Sequence, residues 1–81
     1  MSVRYAAGAI RLEGTCPVED AEPLLTLLQT HRAAPVDLGG CGPLHLAVVQ
    51  LLLAAHPAIQ GTPADPFVRD YLLPGLRRLP D

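Results

Sequence analysis

The stretch from Ala34 to His56 constrains the fold more than any other part of the chain. Pro35 to Leu38 reads as a short buried strand, Gly39 to Gly42 as a glycine-rich turn, and the residues after it as a helix. Pro43 suits a first helical position, where no N–H is missed, and Pro57 must close the helix because proline cannot continue an interior. A strand passing through a tight turn into an apolar helix is half of an α/β unit, and sites in such units usually lie at the carboxyl ends of strands. No catalytic set assembles at this turn. The pattern therefore points to a fold and a binding surface rather than to a reaction.

The helix is apolar nearly all the way round. Leu44, Val48, Leu51, Leu52 and Ala55 make one face, and Leu46, Val49 and Leu53 make roughly the opposite one. One face is expected on a sheet, and the other calls for a neighbouring helix, a second subunit or a partner.

The flanking segments fill in the layers. Val3-Arg4-Tyr5 and Ala9 to Glu13 flank Ala6-Ala7-Gly8, and the alternation of Ile10 and Leu12 with Arg11 and Glu13 predicts a hairpin. Gly14 to Pro17 is expected to turn the chain into a helix over 18–30, with Glu19, Asp20 and Glu22 at its start. Pro23 fits the first turn if Asp20 caps that helix and marks a kink if it begins near Val18. Ala21, Leu24, Leu25 and Leu28 form its apolar stripe, with Leu27 off centre. The strand at Pro35 to Leu38 is expected inside the sheet, parallel to the strand before the first helix. Beyond Pro57, residues 58–60 suggest a final short strand. Asp65-Pro66 is a capped helix start with Phe67, Val68, Tyr71 and Leu72 on its apolar side. Pro74-Gly75 is expected to break that helix, and Leu76 to Leu79 to form a last turn. The expected architecture is α/β, a single domain over 1–81 with a mixed sheet of about four strands and helices packed on one face.

Composition removes several classes of function. A net charge of −2, with no Lys, offers no basic footprint for nucleic acid, which needs several phosphates neutralised. The near-uncharged run from Leu38 to Ile59 is too interrupted by Gly, Pro, His and Gln for a membrane span, which takes ~20 consecutive apolar residues. Cys16 and Cys41 lie in no C-x-x-C pair, and the first residues lack the pattern of a signal peptide, so free thiols and a cytoplasmic location are expected.

Leu12-Glu13-Gly14, the Glu/Leu segment 18–30, Val36-Asp37-Leu38-Gly39-Gly40 and the helix Leu44 to Leu53 together resemble the STAS domain of anti-sigma factor antagonists and of sulfate-transporter tails. The resemblance covers about residues 9–61 and is most specific in its centre. The chain is short for the family, whose last strand and helix are absent here or reduced to residues 65–79. The resemblance implies a small, non-enzymatic docking module. In the antagonist branch a kinase-type anti-sigma partner phosphorylates a Ser or Thr at the start of the second helix. Here His45 stands at the family's Asp, Leu46 at the acceptor and Ala47 at the next Ser, and no hydroxyl occurs between Val36 and His56, so the phospho-switch does not carry over. A similar branch, the small cytosolic subunit of lipid-transport ABC complexes, binds its ATPase through the same region.

The expected contact surface is Gly42, Leu44, His45, Leu46, Ala47 and Val49. Its partner is another protein, of anti-sigma, signalling or ABC ATPase type, or a second copy of the chain. The alternative is a small-molecule or lipid-binding protein, or an enzyme subunit using Cys41 and His45. Against the latter, no third ligand or orienting carboxylate has a defined place beside that pair, so it reads as a turn thiol and a helix-start imidazole. The glycine turn lacks the Lys and Ser/Thr of a P-loop, so no cofactor or metal is expected. His31 and His56 read as caps at helix ends, and Arg69, Arg77 and Arg78 as a solvated C-terminal face.

Overall fold

The computed structural model describes residues 2–77. Strands β1 (Val3–Ala6) and β2 (Ala9–Cys16) form an antiparallel hairpin, and a single 3-10 turn leads into α1 (Ala21–Thr30). β3 (Val36–Leu44), α2 (Leu46–Ala55) and the two-residue β4 (Ile59–Gln60) follow, and the chain ends in a π-helical turn (Val68–Leu72) continuous with α3 (Leu73–Arg77). The sheet order is β1-β2-β3-β4, with β2, β3 and β4 parallel. This is the expected α/β layout, with β3 inside the sheet.

Alternation along the strands sets the two faces. Ile10, Leu12, Val36 and Leu38 are fully buried under the helices, with Leu24, Val48 and Leu52 packed onto them. The opposite face is polar, carrying Arg4 paired with Glu13 at 2.7 Å and Arg11 paired with Asp37 at 2.5 Å. The hairpin turn has Ala7 and Gly8 both at positive φ, 53° and 78°, as a two-residue type I′ connection requires.

Several expectations are corrected. Gly39 to Gly42 do not turn; they continue β3, and Gly14 continues β2. The glycines are there for close approach, since a Cβ on Gly42 would lie 3.2 Å from the Gly14 carbonyl carbon and oxygen, where the β2/β3 register shifts. Pro43 is consequently a strand residue, tolerated because β4 pairs with β3 only at Val36 and Asp37 and leaves this part of β3 without a partner strand on that side. The helix then starts at Leu46.

On α1, Leu24 and Leu28 are buried and Leu27 packs against the core, whereas Leu25 is exposed, so the stripe is rotated from the expected one. Asp20 stands at the N-cap but makes no capping bond; its side chain is buried and one carboxylate oxygen has no hydrogen-bond partner among the described residues.

At the other end, Asp65 caps as expected, accepting from the Val68 N–H at 3.0 Å. Pro74-Gly75 do not break the helix. Pro74 has no N–H for the carbonyl one turn earlier, and the helix widens before it, with the Leu73 N–H reaching Val68 O. That wide turn shifts the phase, burying Val68, Leu73 and Leu76 and leaving Phe67 and Tyr71 exposed, their rings 5.4 Å apart. Residues 78 and 79 of the expected last turn, and Arg78 of the C-terminal face, lie outside the described residues.

Candidate functional site

The expected contact surface divides at α2. His45 (φ −66°, ψ 148°) is the N-cap, and its Nδ1 accepts the Ala47 N–H at 3.0 Å. Leu46, the first helical residue, is 66% exposed. Leu53 stands two turns on along the same side and is half exposed. Val18 is equally exposed, and the turn that carries it packs against α2.

Gly42 and Ala47 are half-buried. Leu44 is half-buried and packs against the core, and Val49 is buried, so these two contribute to the interior rather than to an open surface. The side of α2 opposite the sheet is therefore only partly bare. Val49 is covered within the chain, in a helix that packs against α1, α3 and the turn at Val18–Asp20.

Cys41 is buried, whereas His45 is exposed and committed to its helix cap. Cys41 is fully buried on β3, with its thiol directed to the Gly42 carbonyl at 3.1 Å, and it is not the turn thiol that the sequence suggested. Hydrogen bonding with Cys16, then burial, push the Cys41 thiol well up, away from the thiolate a nucleophile needs. Among the described residues no group of three His, Cys, Asp or Glu side chains is placed to hold a metal ion. Nor is any described helix long and apolar enough to cross a membrane.

A concavity that was not anticipated lies at the other end of the helices. It is a groove of about 570 Å³ between the C-terminal turns of α1 and α2, at the amino rather than the carboxyl ends of the parallel strands. His31 and His56 border it. Both cap their helices through backbone N–H groups, to Leu27 O and Leu52 O, and not through their rings. The His31 ring instead stacks on Tyr5 with centroids 3.7 Å apart and planes 4° from parallel. The only hint in the sequence was a cluster of alanines at both helix ends, which reads equally well as helix propensity.

No family model, curated protein or solved structure matches the chain.

Proposed function

We propose that this chain is a non-enzymatic interaction module of STAS type, a regulatory or scaffolding component of bacterial cytoplasmic signalling. It docks a partner protein over His45, Leu46 and Ala47, with Gly42 at the margin. The reading rests on the resemblance of the β3–α2 segment, on a sheet order compatible with it, and above all on one observation: a leucine two-thirds exposed at the first turn of α2. A hydroxyl there would make a contact switchable by phosphorylation. A leucyl side chain makes a constitutive one, because it gains from being covered whatever the state of a kinase.

The test is Leu46→Asp. An exposed position one residue inside a helix tolerates an acid well, and the helix dipole favours it by about 0.3–1 kcal/mol, so folding is preserved. At a docked surface the same carboxylate is desolvated without a partner, at a cost of several kcal/mol. Purification of the tagged chain from its own cells, followed by sedimentation of the isolated protein, is expected to show a partner or a dimer that the variant loses. A variant that retains the association with unchanged affinity would refute the docking surface.

A further inference from the structure

We infer that the groove between the C-terminal turns of α1 and α2 binds an amphipathic carboxylate, an acyl chain with an anionic head. The volume of about 570 Å³ falls within the range of small-molecule sites, about 300–1,000 Å³. Its walls separate by chemistry. Leu25, Leu28 and Leu51, with Ala54 and Ala55, are its apolar members, and His31, Arg32 and His56 are the groove's titratable or charged ones. Leu25 and Leu28 come from α1 and Leu51, Ala54 and Ala55 from α2, so each helix offers an acyl chain an apolar wall.

Charge selects the head group. No Asp or Glu lines the groove. Arg4, Arg11 and Arg69 are each held by a carboxylate, whereas Arg32 is exposed and has no carboxylate partner among the described residues. Helix C-termini favour cations, which accounts in part for His31 and Arg32 being there. The terminal carbonyls of Leu27 and Leu52 are, however, already bonded by backbone N–H groups, and the His31 ring is stacked on Tyr5, so Arg32 is the cation left for a ligand. A guanidinium beside an apolar slot suits a carboxylate, which it binds through two parallel hydrogen bonds. A neutral amphiphile would leave it unpaired, and a cationic one would be repelled.

The groove is roofed by neither helix because the residues facing across it are small. Ala33, Ala34, Ala54, Ala55 and Ala58 leave open what leucines would fill. It lies at the opposite end of α2 from Leu46, so the two sites can be tested separately.

Sodium decanoate, decyltrimethylammonium bromide and sodium acetate should be titrated, below micellar concentrations, into the isotopically labelled chain and followed by amide NMR. Decanoate is expected to give saturable shifts confined to residues 25–34 and 51–58, and acetate and the cationic amphiphile none there. Arg32→Glu, at an exposed position that leaves the spectrum otherwise intact, is expected to weaken decanoate at least roughly ten- to a hundredfold, since the charge-assisted pairing with the carboxylate is lost. Ala54→Phe should block the cleft. Equal binding of the two amphiphiles would mean that only apolar contact is involved, and equal binding of acetate that only an anion is held; either overturns the inference, as do shifts centred elsewhere or an indifferent Arg32→Glu.

Discussion

Substituting Gly61 with alanine should destabilise the protein far more than its place in a surface loop suggests. Gly61 follows β4 at φ +81°, and an added Cβ would lie 2.5 Å from Asp37 Oδ1, 2.6 Å from Gly39 N and 2.9 Å from Gly39 Cα. Two of those three atoms are backbone, so the strain cannot be relieved by turning a side chain. The third belongs to a carboxylate already committed at both oxygens: Oδ1 accepts the Gly39 N–H at 2.8 Å, and Oδ2 accepts from Arg11. Holding a non-glycine residue at such a φ costs about 1 kcal/mol. Displacing the Asp37 bonds adds about 1.5–3 kcal/mol, the worth of a hydrogen bond to a charged group. The expected loss is about 2.5–4 kcal/mol, against a total of roughly 4–12 kcal/mol for a domain of this size.

Two other glycines calibrate the measurement. Gly8 has a similar φ of +78° but open space where its Cβ would stand, so Gly8→Ala isolates the backbone cost, about 1 kcal/mol. Gly75 has open space inside α3 and no positive φ, so Gly75→Ala should stabilise by roughly 0.5–1 kcal/mol through helix propensity. Urea unfolding followed by circular dichroism should rank the three as Gly75→Ala above wild type, Gly8→Ala below it and Gly61→Ala lowest. If Gly61→Ala unfolds at the same midpoint as Gly8→Ala, the close packing of the loop on Asp37 and Gly39 is not a source of stability and the reasoning fails.

Two further outcomes are expected. His56 caps α2 at φ 50°, where glycine is the usual residue, so His56→Gly should raise the melting temperature by about 2–8 °C while weakening decanoate if its ring serves the groove. A lower melting temperature would show that the ring holds the fold. Glu13 is held below its ordinary carboxylate value of 4.5, chiefly by the hydrogen bond from Arg4. The folded state thus gives up this proton more readily than the unfolded one, and the contribution of the pair is present above that ordinary value and lost as pH falls through the lowered one. Both side chains are at the surface, so the difference between wild type and Glu13→Gln should be small, shrink on acidification and shrink in salt; a difference that grows in acid would contradict the assignment.

The sheet was legible because its signals are local. Alternation at Ile10 to Glu13 and the apolar run at Val36 to Leu38 read correctly. So did the cap at Asp65, since it depends on residues a few positions apart. What failed was decided by neighbours in space. The glycines of β3 looked like a turn because glycine permits turns, yet here they accommodate the backbone of β2, a fact stored in the pairing and not in the run itself. Leu25 and Leu27 exchanged roles because the direction from which the sheet meets α1 is a tertiary choice that a stripe spanning both residues does not make. Phe67 and Tyr71 were misplaced by a wide turn whose cause, the missing N–H of Pro74, lies downstream of the residues it rotates. The proposed docking residues were named from the start of α2, and of that set His45 and Leu46 are exposed, Gly42, Leu44 and Ala47 half-buried and Val49 buried. The groove was invisible because it is made of what alanines omit.

The thiols of Cys16 and Cys41, both without solvent exposure, bring one more consequence. A maleimide or peroxide in the medium cannot touch either sulfur while the hydrophobic layer beneath α2 is closed, so labelling must wait for the moment the layer parts. The two residues sit on β2 and β3, the pair of strands with the most extensive mutual register, and that moment is close to complete unfolding. The mass of the two cysteines after exposure to a thiol reagent therefore counts the molecules that have opened, and leaves the folded ones unmarked.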